Sequence, residues 1–388
     1  MKKITKLSLI ATLALGSVSF ANAQALEEAI KNVDVSGTVT YRYNDYEETY
    51  DKDNNKFTSA SSNNYKIALN VKSKVNEDVV ANMRFIVGSK GNKPASLSTH
   101  DDGDGQVNVT LSEVNFTYTG IANTAITFGK QGLATPYTVH RDSMDNEQTG
   151  TGILAVTNVG PVTLAAAYFN QTNLQESNEA AVAVAGDKNV IFAGAMASFA
   201  GINADASYID VQDVFDAYTV GLSASYDVAS VKLSPYARYS ALDLDNNSAD
   251  NSLWKVGMRA NMGIFGAHLG YGETDTEGGT VGVDVSSETG YDEHWGVTLS
   301  GVSDASVIYA SVDAQVLPSL NVALKYSNLD AGSKSNDTDQ EEIYTQLSYQ
   351  MSKNFGGYLR FGQYEKEDAN GTKDIDSTRG RLQVQYSF

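Results

Sequence analysis

The chain ends on LQVQYSF, residues 382–388. Leu382, Val384, Tyr386 and Phe388 alternate with Gln383, Gln385 and Ser387, and the last aromatic carries the carboxylate. A period of two is that of a strand with one apolar and one polar face. Chain ends are ordinarily polar and frayed, so a strand that runs to its final residue needs a partner to hold it. Val33, Val35, Gly37, Val39, Tyr41 and Tyr43, interleaved with Asp34, Ser36, Thr38, Thr40, Arg42 and Asn44, offer the same period at the other end of the chain. If the last strand pairs with the first, the sheet closes on itself and has no edge.

The pattern repeats between these ends. Tyr65, Ile67, Leu69 and Val71 form one apolar row, and Ala81, Met83, Phe85 and Val87 a second. Tyr218, Val220, Leu222, Ala224 and Tyr226 follow, then Trp254, Val256, Met258, Ala260 and Met262. Further rows are Leu320, Val322, Leu324 and Tyr326, then Ile343, Leu347, Tyr349 and Met351. Runs of ten or more residues exceed the ~5–6 of a soluble sandwich strand and match the ~9–11 that cross a bilayer at a tilt. The rows tend to finish in Tyr, Trp or Phe, as an interfacial girdle does. Connections alternate too. Short ones include residues 76–78, 120–122, 227–229, 317–319 and 352–354; long polar ones fall near 45–64, 89–105, 131–150, 171–188, 273–291, 330–340 and 366–377. The fold expected is all-β, a transmembrane antiparallel barrel with 18 to 20 strands. Residues 280–300 read equally as two strands or as part of a long loop.

At the front, Lys2, Lys3 and Lys6 precede the apolar run Leu7 to Val18 and the small residues Ala21-Asn22-Ala23. This is the layout of a secretory signal peptide over residues 1–23, leaving a single barrel domain over 24–388 with a short helix at 26–31. Loss of the three lysines takes the net charge of the 388-residue chain from −19 to −22. So acidic a chain is a poor ligand for nucleic acid. There are no cysteines, so export brings no disulfides, and only 5 prolines accompany 33 glycines and 22 tyrosines, which favours long uninterrupted strands. No run approaches the ~20 apolar residues of a spanning helix.

Several stretches resemble the major outer membrane porin family of campylobacter-type bacteria: LEEAIKNVDVSGTVTYRY at 26–43, FTYTGIANTAITFGKQGLATPYT at 116–138, GTGILAV at 150–156 and the final QYSF. The resemblance implies an 18-stranded trimeric barrel, a third loop folded into the lumen as a constriction, and calcium bound near it. It also identifies Tyr386 and Phe388 as the signal read by the barrel-assembly machinery.

Chemistry-bearing residues are few. The four histidines, His100, His140, His268 and His294, form no H-E-x-x-H pattern, and His140-Arg141-Asp142-Ser143 sets hydrolase residue types side by side without implying triad geometry. No enzyme is expected. Asp51 to Asn55 and Asp101 to Asp104 look like calcium loops, but the twelfth positions are Ser62 and Ser112 where a bidentate Glu is required. Arg42, Lys66, Lys72, Arg84, Arg259, Arg360 and Arg381 fall on the polar faces of their strands. Of these, Arg42, Arg84, Arg360 and Arg381 define a basic pore wall. Asp142, Asp145 and Glu147, on the third long loop, are expected to face that wall across the constriction, and they are the calcium ligands the resemblance suggests. Opposed charge rows orient polar solutes. With acidic mouths at Asp101, Asp102 and Asp104 as well, the expected function is a water-filled outer-membrane channel for ions and small hydrophilic solutes, modestly cation-selective. Two other readings are a substrate-specific channel, which wants a track of inward aromatics where Phe169, Tyr236, Tyr344 and Tyr358 look scattered, and a structural or adhesive barrel.

Overall fold

The alternating segments are paired strands throughout the computed structural model, which describes residues 33–51, 56–89, 94–97, 107–144, 147–177, 181–332, 335, 339–367 and 373–388. The signal peptide, the helix at 26–31 and the acids at 101, 102, 104 and 145 lie outside the described residues.

Eighteen barrel strands run among the described residues: β1 (Val33–Asp51), β2 (Lys56–Lys74), β3 (Val79–Gly88), β4 (Asn108–Ile121), β5 (Thr124–Gly132), β6 (Thr149–Val159), β7 (Val162–Thr172), β8 (Val190–Phe199) and β9 (Ile202–Val211), then β10 (Phe215–Ala224), β11 (Val231–Leu244), β12 (Asn251–Met262), β13 (Phe265–Thr274), β14 (Ala305–Leu317), β15 (Leu320–Ala331), β16 (Gln340–Ser352), β17 (Phe355–Glu367) and β18 (Lys373–Ser387). Tyr226–Val228 continues β10 after a break at Ser225, and Ala95–Ser96 adds a short rung beside β2. Each strand pairs antiparallel with its neighbours in sequence. β1 then pairs with β18 from Thr38↔Ser387 to Glu48↔Ser377, which closes the wall. The seam ends in a reciprocal pair: Gly37 N–H donates to Phe388 O at 2.9 Å and Phe388 N–H to Gly37 O at 3.0 Å. Gly37 is required here, since a Cβ would sit 2.4 Å from Ala68 O and 2.8 Å from the Phe388 ring.

The burial pattern is that of a soluble protein turned inside out. Val39, Val256, Met258, Leu347 and Leu382 are exposed on the outer face, whereas Thr40, Arg42, Lys66, Thr219, Ser240 and Ser327 are buried on the inner one. Lipid is the only solvent that suits such an outer face. The strands run 9 to 19 residues. Short turns gather at one end, with the chain terminus; at β8–β9, Ala200 and Gly201 both take positive φ, 50° and 80°, as a two-residue hairpin of matching twist requires.

One expectation is corrected and one open reading is decided. Residues 45–64 do not form a long loop, because β1 and β2 extend to Asp51 and from Lys56. Residues 280–300 contribute no strand: the whole of 275–304 is one loop of turns folded into the lumen. Its alternating Val281, Val283, Val297 and Leu299 are buried to 1 % exposure or less, because they pack between loop and wall and not because they join a sheet. One cluster gathers Leu133, Tyr137, Phe169, Leu174 and Val283 against β7 to β11; a second gathers Val281, Tyr291, Val297 and Leu299 against β12 to β17.

Candidate pore constriction

Three connections share the lumen: residues 133–148 between β5 and β6, 173–189 between β7 and β8, and 275–304. They are stitched to one another. Val283 N–H donates to Tyr137 O, Thr289 N–H to Pro136 O and Ala181 N–H to Val283 O, at 2.8, 2.9 and 2.8 Å. Asp284 accepts from Gln148 Nε2 and Ser177 Oγ, at 2.9 and 2.8 Å. Burial pushes the Asp284 carboxyl up, and it pushes the Tyr137 phenol up to about 12. This mass packs on the inner face of β7 to β11 and, through loop 275–304, on residues of β12, β14, β15 and β17.

The inner row of the barrel holds loop 275–304 at many points. Lys255 Nζ donates to Glu288 O and Gly290 O at 2.9 and 2.5 Å. Arg238 pairs with Glu288 at 2.5 Å and Arg259 with Glu293 at 2.6 Å. Tyr236 and Tyr291 join through their hydroxyls at 2.9 Å. Trp295 N–H donates to Glu342 Oε1 at 3.1 Å, and His294 Nδ1 meets Ser327 Oγ at 2.6 Å. Burial, with Lys325 next in order, holds the His294 imidazole down to about 3.

Loop 133–148 lies along the opposite wall. Glu147, 3 % exposed, forms a bidentate pair with Arg84, its second oxygen accepting from Arg84 Nε at 2.9 Å, and Lys66 Nζ stands 3.4 Å from the first. Glu147 was expected to face the basic wall across the pore; it is bound to that wall instead. A carboxylate buried without a cation is far costlier than one that is paired, so the loop folds its acid onto the nearest arginine. Arg141 and His140 both reach Glu113 on β4. Ser143 accepts from Gln383 Nε2 at 3.0 Å, and Asp142, exposed, caps Met144 N–H at 2.7 Å. His140 and Arg141 share Glu113, whereas Asp142 and Ser143 turn to Met144 and Gln383, so the four make no triad. Asp142 sends its charge toward Lys66 and Asp284.

Of the calcium ligands that the resemblance implies, Glu147 is engaged by the wall and Asp145 lies outside the described residues. Both Glu147 oxygens are taken by cations, and among the described residues no group of three or more His, Cys, Asp or Glu could hold a metal.

The basic wall is where the sequence placed it. Arg42 Nε donates to Gln383 Oε1 at 2.8 Å across the seam. Arg381 Nε donates to Asn44 Oδ1 at 2.7 Å, and Arg381 stands opposite Arg360 in the β17–β18 register. Of the four inward aromatics, Phe169 packs in the cluster against β7 to β11 and Tyr236 pairs with Tyr291, but the other two come together. Tyr344 and Tyr358 converge with Trp295 on Arg360, with ring centroids 5.6, 4.5 and 5.8 Å from its guanidinium carbon. Arg379, missed at first, lies 3.8 Å from the Tyr364 ring. Its signal was available, two residues before Arg381 on the same face. Trp295 had none, because its place depends on a loop that crosses the barrel.

A closed wall, apolar toward lipid and ionised toward a loop-narrowed lumen, defines an outer-membrane channel of the porin type. Residues 1–182 match the family described as Campylobacter major outer membrane protein, the family that the segments at 26–43 and 116–138 resemble. Solved structures share the fold over 92 % of this chain. Pseudomonas aeruginosa OpdL aligns at TM-score 0.74 and 17 % identity, with 99 % of that chain covered. P. aeruginosa OpdQ aligns at 0.75 and 15 %, and Acinetobacter baumannii OccAB3 at 0.72 and 14 %, each also covered to 99 %. No curated protein sequence matches the chain.

Proposed function

We propose that this porin conducts inorganic ions and small hydrophilic solutes passively, with no covalent chemistry, and that it is modestly cation-selective at low salt. The observation that carries the reading is the closed wall, apolar outside and ionised on its inner row, with three connections folded within it. Cation preference would come from the exposed Asp142 on the constricting loop and, on residues outside the described set, from Asp145 on that loop and Asp101, Asp102 and Asp104 at the mouth. Such fields act over about a Debye length, ~8 Å at physiological salt. Glu147 contributes little, since its charge is cancelled on the wall. Reversal potentials in a planar bilayer under a potassium chloride gradient test this: a modest cation preference that shrinks as salt rises is expected, and an anion preference would overturn it. A purified barrel that inserts but carries no current would favour the structural or adhesive reading instead.

By its family resemblance the chain assembles as a homotrimer, with contacts near β1 and β18, and its terminal Tyr386 and Phe388 engage the barrel-assembly machinery. Outward Val39, Leu382 and Tyr386 supply apolar surface there. A monodisperse monomer in mild detergent would count against the trimer. The family resemblance also suggests calcium at Asp142, Asp145 and Glu147, and calorimetric titration of the chelator-treated protein tests it: no binding would overturn the site.

A further inference from the structure

The inner face of β17 and β18 keeps three arginines that the loops leave without an acid. Arg84, Arg141, Arg238 and Arg259 each have a carboxylate partner. Arg360, Arg379 and Arg381 do not: among the described residues no carboxylate lies within salt-bridge distance of any of them. Their hydrogen bonds go to neutral groups, from Arg360 Nε to Gln346 Oε1 at 2.7 Å, from Arg379 Nε to Ser377 Oγ at 2.9 Å, and from Arg381 to Asn44 and Tyr46. Glu342 is the acid whose field reaches Arg360 and Arg379; its Oε1 accepts from Trp295 N–H, and its Oε2 has no hydrogen-bond partner among the described residues.

Like charges set opposite one another repel, and a guanidinium has five N–H donors of which these use one or two. The cluster thus presents unused, forked donors of the geometry that grips a carboxylate in two places. Its walls are flat. The Trp295 ring lies 5.8 Å from Arg360 and 5.2 Å from Arg381, and Tyr358 lies 4.5 Å from Arg360. Arg360, Arg381, Trp295 and Tyr358 are all half-buried, so a solute in the passage can reach them. The cluster also holds an unmet polar group: the Tyr344 hydroxyl, on a side chain 2 % exposed, has no hydrogen-bond partner.

We infer that Arg360 and Arg381, with Trp295 and Tyr358, form a binding station for small aromatic carboxylates on their way through the pore. The inference rests on the channel reading and deepens it. The guanidinium pair supplies the charge and the rings supply the stack, so neither a small aliphatic anion nor a neutral aromatic satisfies both. Trp295 makes loop 275–304 part of the station, not only a filler of the lumen.

Single-channel recording in potassium chloride tests this, with benzoate as the probe and acetate, cyclohexanecarboxylate and benzamide as controls. Benzoate is expected to interrupt the current at a frequency that rises with its concentration, at least tenfold more often than any control at equal concentration. R360Q/R381Q should lose the interruptions while keeping an open-channel current, and Trp295→Leu should bring benzoate down to the level of acetate. Heat-modifiable mobility shows that each variant is folded. Equal interruption by benzoate in wild type and R360Q/R381Q, or by acetate and benzoate in wild type, would overturn the station and leave the channel standing. A folded wild-type protein without current would overturn the channel reading itself.

Discussion

Glu147→Gln removes one charge and leaves two buried cations facing each other. Arg84 is 6 % exposed and Lys66 2 %, and the amide retains hydrogen bonds but not the field that offsets the desolvation of both. Breaking a buried ion pair by removing one partner costs about 3–5 kcal/mol. At 1.4 kcal/mol per tenfold, this lowers the ratio of docked to undocked loop 133–148 by a factor of roughly 10² to 4 × 10³. The cost falls on the loop and not on the barrel, whose strand pairs are untouched. Arg141 on Glu113 and Gln148 on Asp284 remain as anchors, so the expected result is a loop that leaves its wall intermittently. In single-channel recordings of the purified variant this appears as excess open-channel noise and larger sub-states, with unchanged heat-modifiable mobility. Arg84→Met combined with Lys66→Met and Glu147→Met should restore quiet recordings, because a buried ionic cluster can be replaced by apolar side chains at little cost. Wild-type noise and conductance in Glu147→Gln would refute the claim that this acid pins the loop.

Val256→Arg places a charge on the lipid face and should cost ~2–4 kcal/mol if the residue lies near the bilayer midplane, read as a shift in denaturant unfolding from vesicles; no shift would mean that the face is not in lipid. Deleting Phe388 removes the reciprocal bonds with Gly37 and the ring stacked on Tyr386 at 5.9 Å, so the membrane-inserted, heat-modifiable fraction should fall; normal insertion would show that the seam does not need its last residue. Acidification should loosen loop 275–304. His294 titrates at about 3 when docked and at ~6.5 when hydrated, so docking is complete above pH ~6.5 and weakens by at most ~1.4 kcal/mol per pH unit as the pH falls toward 3. Asp284, held up by burial, acts in the opposite sense, so an Asp284→Asn background isolates the histidine effect. His294→Asn should abolish the pH-dependent noise between 6.5 and 5; noise that persists in it would place the sensor elsewhere.

The sequence by itself determined the wall. An exact period of two, repeated in runs longer than soluble strands, leaves one face that suits lipid, and the terminal LQVQYSF matches the Val33 segment as the partner that closes the sheet. Register follows directly, since slipping by one residue would turn Arg42 and Arg381 into lipid. The basic wall was legible for the same reason. What fills the lumen was not. Residues 280–300 alternate as a strand does, yet there Val281, Val283, Val297 and Leu299 face a core made by distant strands, and local period cannot distinguish a strand's lipid face from a loop's buried side. Nor could charge pattern show that Glu147 would settle on Arg84 and Lys66. Sequence spacing gives the sign and number of charges, whereas their pairing depends on which arginine the loop can reach before its carboxylate leaves water. Tertiary structure decided that, and with it which arginines stayed free to meet a solute.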